Sequence, residues 1–154
     1  MKKHLLSKML IIAVAGILAF TGLIWAASTV TQTLLPVNKE VAVLTYAWTA
    51  DATSAEVSAT ESSWDVDGWV FLVITNPGSP APTDNYDLVL KDAEGIDIMG
   101  GALANRDTAN SEQAVPQIMT GIYGARFVDG KLTLEVTGNS VTSAQAEVKV
   151  FFYR

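Results

Sequence analysis

The chain has 154 residues with sixteen acidic and ten basic side chains, a length that suits one domain of roughly 100–150 residues with a sizeable core. All sixteen acids but only seven bases lie beyond Ser28, so the last 126 residues carry a net charge of −9, which repels phosphate backbones and argues against nucleic acid as a partner. There is no cysteine and the only histidine is His4, so Ser-His-Asp or Cys-His machinery and an ordinary zinc site are excluded beyond the amino terminus.

Residues 1–28 (MKKHLLSKMLIIAVAGILAFTGLIWAAS) have a basic start, an uncharged apolar run at 9–27 and a small-residue end, the order of a secretory signal. The run of 19 residues also suffices to cross a bilayer as a helix. Two readings stay open: a signal peptide cleaved after Ser28, or a retained anchor helix in the inner membrane. Either one predicts an exported, extracytoplasmic domain. An exported chain without cysteine relies on its core for stability.

Residues 29–40 (TVTQTLLPVNKE) read as a lead-in or a first edge strand, and residues 41–154 as the main domain. The run WVFLVIT at 69–75 is apolar on both faces and predicts a central strand ended by Asn76-Pro77-Gly78. Tyr86, Leu88 and Leu90 alternate with polar neighbours, as do Leu132, Leu134 and Val136, and Val148, Val150 and Phe152; each set is the period-two signature of a half-buried strand. Asp92-Ala93-Glu94-Gly95 and Asp129-Gly130 predict hairpin turns. No stretch beyond residue 28 keeps helical spacing for three turns, so the expected fold is all-β: one sandwich of seven to nine antiparallel strands, immunoglobulin-like or jelly-roll-like.

The chemistry that remains is carboxylates, hydroxyls, lysines and aromatics. A glycosidase needs only two carboxylates about 5–9.5 Å apart, but no pair stands out among sixteen. Asp92-Ala-Glu94-Gly95-Ile-Asp97 loosely follows the start of a calcium loop, yet its twelfth position is Leu103 where that loop requires glutamate. It reads as a hairpin turn with outward acids, and no metal or other cofactor is expected. The longest irregular stretch, residues 100–116, is polar, and a loop of that length in a compact domain is often functional. Asn105, Arg106, Asp107 and Asn110 in it, with Asp84 and Asn85 in the Pro-rich segment, are the candidate contact residues. Most aromatics belong to the core; Trp64, in Glu61-Ser-Ser-Trp-Asp, is the one expected at the surface and is the candidate for stacking on a glycan.

Three segments carry a resemblance: Thr75-Asn-Pro-Gly-Ser-Pro-Ala-Pro-Thr-Asp-Asn-Tyr-Asp87, Lys91-Asp-Ala-Glu-Gly-Ile-Asp97, and Gly101-Ala-Leu-Ala-Asn-Arg-Asp-Thr-Ala-Asn-Ser-Glu-Gln113. With Thr45-Tyr-Ala-Trp-Thr-Ala-Asp51 and Gly130-Lys-Leu-Thr-Leu134, they resemble, from about Val43 to Arg154, a small β-rich protein family of tailed bacteriophages and prophages. The resemblance implies a non-enzymatic particle component whose partners are proteins, other virion proteins or further copies of itself. It carries over no catalytic residue. Members of that family usually begin at the β domain, whereas this chain has an export segment in front. The expected setting is therefore virion-associated or displayed outside the inner membrane. The alternative is an envelope surface-binding module, with glycan among its ligands.

Overall fold

The computed structural model describes residues 26–154. The signal or anchor reading of residues 1–28 falls outside them, apart from 26–28. Among the described residues no helix is long and apolar enough to cross a membrane.

Eleven strands follow one another: β1 (Thr29–Pro36), β2 (Val41–Thr49), β3 (Thr60–Glu61), β4 (Gly68–Pro77), β5 (Asp87–Lys91), β6 (Glu112–Ala114), β7 (Gln117–Met119), β8 (Ile122–Tyr123), β9 (Arg126–Val128), β10 (Thr133–Thr137) and β11 (Gln145–Tyr153). Five have only two or three residues, too short for a periodic pattern, which is why seven to nine were expected. The segment read as a lead-in or first edge strand contains β1, paired along its whole length with β2.

All pairings are antiparallel. The larger sheet runs β1-β2-β11-β4, and the far edge of β4 is shared by β6 and β9. The smaller is β3-β10-β5, and its outer flank is a segment without regular strand. Along that flank Leu88 N donates to Leu103 O, Ile98 N to Leu90 O, and Arg106 N to Tyr86 O. From β2 to β5 successive strands alternate between the two sheets, and β10 and β11 do so again. An immunoglobulin order would place hairpins within a sheet; this alternation is jelly-roll order.

The core lies between the sheets. In β2, Ala42, Leu44, Tyr46 and Trp48 are buried, and in β11, Ala146, Val148, Val150 and Phe152. Leu88 and Leu90 of β5 face them with Leu134 and Val136 of β10. The flank adds Ile98, Met99 and Leu103, all fully buried. Residues 100–116, expected as an exposed polar loop, thus begin as a packed side wall and end in β6.

One expected hairpin has a different structure. Asp129-Gly130 does turn, with Gly130 at φ 93°, but it joins β9 of the larger sheet to β10 of the smaller one. Local turn chemistry fixes the reversal and not the partner. Here the turn is held across the sandwich: Val66 N donates to Gly130 O, and Gly130 N to Asp67 Oδ1.

Two buried tyrosines differ in how their hydroxyls are treated. Tyr46 Oη donates to Leu132 O at 2.8 Å, stitching β2 to the start of β10. Tyr86 packs edge-on against Trp48 at 5.9 Å between ring centroids, and its hydroxyl has no hydrogen-bond partner among the described residues. Burial raises the pKa of both, that of Tyr86 to about 12. Tyr46→Phe should lower the unfolding free energy by about 1 kcal/mol, the net worth of one hydrogen bond, whereas Tyr86→Phe should leave it unchanged or raise it. Urea unfolding of the two variants checks this; equal losses would contradict it.

Candidate functional site

Six of the seven candidate residues meet at one end of the sandwich. Asn85 N donates to Arg106 O, which joins the Pro-rich segment to the flank. Asn85 and Asn105 sit at φ 64° and 54°, the left-handed region that asparagine tolerates better than most residues. Trp64 lies at the opposite end, beyond the edge where Glu61 pairs with Thr133.

The six are occupied with one another and with the backbone. Asp107 accepts from Asn110 Nδ2 at 2.9 Å and from the backbone N–H groups of Ala109 and Asn110. Arg106 donates to Ala104 O and lies 3.6 Å from Glu112; Glu112 in turn accepts from Asp107 N. Asn85 Nδ2 donates to Asp84, and Asn105 N to Asp87 Oδ1. These polar groups cap turns. The acids of 92–97 do likewise: Asp92 accepts from the backbone of Glu94 and Ile96, and Asp97 from Met99 and Gly101.

Trp64 is held by its backbone, its carbonyl accepting from buried Ser62. Its side chain is 40% exposed, less than Trp69 at 51%, so the sequence expectation singled out the lesser of the two. The misreading came from WVFLVIT. β4 is central, as expected, yet only one of its faces is in the core: Gly68, Val70, Val73 and Thr75 point inward, and the other face is apolar surface.

That outer face carries a continuous apolar band at the end of the larger sheet where Trp69 lies. Across the strands Val41, Tyr153, Trp69 and Phe127 are successive register partners, with Leu35, Val43 and Phe151 in the next row. Trp69 meets Phe127 edge-on at 5.5 Å, and Phe71 stacks on Tyr153 at 4.5 Å. Gly68 makes this packing possible, since a Cβ there would lie 1.8 Å from the Tyr153 carbonyl oxygen. The other end of the same face is polar, with Thr31, Ala47, Glu147 and Asn76 in one row. These residues line a shallow depression of about 370 Å³ whose one carboxylate, Glu147, is paired with Lys149 at 3.1 Å. The smaller sheet turns Lys91 and Glu135 outward, paired at 2.7 Å.

Between β6 and β9 the chain forms a separate hairpin of β7 and β8, the arm, which pairs with neither main sheet. Ile118, Met119, Ile122 and Tyr123 are all exposed, Met119 to 62%. The arm is tied at its base by Gln117 N to Met99 O and Gly124 N to Pro116 O. In the sequence it is the run at 116–124 (PQIMTGIYG), uncharged like the longer runs at 68–83 and 136–146, so lack of charge alone does not single it out.

No family model matches the chain, and no curated protein does. Among solved structures, it is similar to a chain of the cyanophage Pam1 capsid asymmetric unit, with 19% identity over 88% of this chain and 94% of that one and a TM-score of 0.45. A cupin domain from Bordetella pertussis Tohama I gives 12% identity over 84% and 97%, with a TM-score of 0.34. Superpositions this loose assign neither family nor function.

The hydrogen bonds from Asn110 and the backbone of Ala109 hold the Asp107 carboxyl below its ordinary value of 3.8. A depressed folded-state pKa contributes stability above the ordinary value that is lost as pH falls through the folded one. Asp107→Asn should therefore melt below the wild type at pH 7, and the gap should close as pH falls below about 3.8. Thermal unfolding at several pH values measures it; a gap that widens in acid would refute the capping role.

Proposed function

We propose that this chain is a non-enzymatic structural or interaction module of the phage type, set in a virion or on the outer side of the inner membrane, and that it works by presenting surfaces. The observation that carries this reading is the apolar band with its arm. Monomeric soluble proteins rarely expose a contiguous apolar patch above roughly 300–600 Å². At about 150–250 Å² for each large aromatic side chain, the half-exposed Trp69, Phe127, Tyr153 and Tyr123 with their aliphatic neighbours exceed that figure. The loop residues first singled out, from Asp84 to Asn110, serve this reading as the rigid end of the scaffold, since most of their polar groups are engaged in turns and backbone contacts.

Jelly-roll order recurs in viral capsid proteins, lectins and cupins, and order alone separates none of these. The distinction comes from the surface: rings that pack edge to face against each other suit a protein partner better than the flat face of a sugar.

Peptide mass spectrometry on density-banded particles and on the membrane fraction of one induced culture tests the proposal. The expected result is recovery in particles, or in membranes with residues 9–27 intact. In the particle fraction, the variant with Trp69→Asp and Phe127→Asp should fall at least tenfold relative to a folded wild-type control. Recovery of the chain only as free soluble protein would refute it.

A further inference from the structure

We infer that the band and the arm form a self-association surface whose occupant is a second copy of this chain. The inference deepens the surface-acting reading above and rests on it. Its first support is area. With the arm included, the half-exposed apolar side chains offer roughly 1,000 Å² per chain at about 150–250 Å² for each large residue, against the roughly 800 Å² per partner of a standard stable interface.

The second support is charge. The domain carries −9, so two copies repel wherever acidic surfaces meet, and anionic lipid is repelled as well. The band residues Val41, Trp69, Phe127 and Tyr153 and the whole run at 116–124 are uncharged. On these residues two copies can approach without bringing acid to acid. A two-fold interface sets each patch on the same patch of its partner, and an apolar patch of one kind is complementary to itself. The flat outer face of the larger sheet also allows sheet-on-sheet packing at about 10 Å.

The arm supplies the third. An isolated two-stranded hairpin is marginal in water, and this one turns Ile118, Met119, Ile122 and Tyr123 to solvent. A partner that covers those side chains would hold the arm as the third strand or packed face it lacks. The polar end of the sheet, the charged outer face of the smaller sheet and the capped turns at the far end offer nothing comparable.

Sedimentation equilibrium on the full chain as purified from cells tests the inference, with Phe127→Asp in the band, Met119→Asp in the arm, and Thr31→Asp as a control of equal charge at the polar end of the same sheet. The wild type and Thr31→Asp should associate alike. Phe127→Asp and Met119→Asp should each raise the dissociation constant at least tenfold while keeping the wild-type circular dichroism spectrum. Should Phe127→Asp fail to fold, Met119→Asp, which lies outside both main sheets, decides alone. Screening the acidic surfaces with salt should tighten association. A wild type that stays monomeric at about 100 µM, far above typical Kd values for interfaces of this size, overturns the inference. So does an assembly that survives both substitutions, since it is then held by other residues such as the run at 9–27. If the chain is monomeric but still reaches particles or membranes in a Phe127-dependent way, self-association fails and the surface-acting reading stands. If it is monomeric and reaches neither, both fail.

Discussion

The register of β11 between β2 and β4 governs the rest of this molecule. Val148 lies between Tyr46 and Thr75, and Val150 between Leu44 and Val73, which places a buried side chain beside a buried side chain in every second row. A slip of one residue would turn Lys149 and Glu147 into the core and Phe152 out of it. With no disulfide and no metal-binding histidine beyond residue 28, that row-by-row match joins the two halves of the larger sheet and lines its core side. It also fixes the outer face. Once Phe152 is inside, Phe151 and Tyr153 must be outside, and the apolar band follows from the same alternation that builds the core.

This explains which features were legible in the sequence. The strands with strict alternation, β5, β10 and β11, are plain, and so is the absence of helix among the described residues, because period two in a β-branched chain admits little else. The pairing of Asp129-Gly130 was not legible, since a turn reports its own geometry and not the sheet its flanks will join. The outer face of β4 was misread for a physical reason as well. An apolar residue pointing to solvent and one pointing to a second layer look the same in one dimension, and only the absence of a covering layer over Trp69 separates them.

Candidate residues chosen by polarity fared differently from those that exposure selects. Asp84, Asn85, Asn105, Arg106, Asp107 and Asn110 do cluster, so their common place at one end was foreseen in part. Their polarity, however, reflects the needs of irregular backbone. A flank that makes few ladder hydrogen bonds must satisfy its N–H groups from side chains, and short acids and amides at turns do that. Trp64 is exposed, as expected, but Trp69 inside the most apolar strand is more exposed still.

The place of β11 in chain order bears on the moment at which the fold can exist. β1 and β2 pair with each other, and β4 pairs with β6 and β9, but no ladder joins these two groups except through residues 145–153. Without that strand, the larger sheet is two separate pieces with the core side of each open to water. Contacts of such long sequence separation form late and cooperatively. The larger sheet can therefore close over one core only once residues 145–153 have entered between β2 and β4.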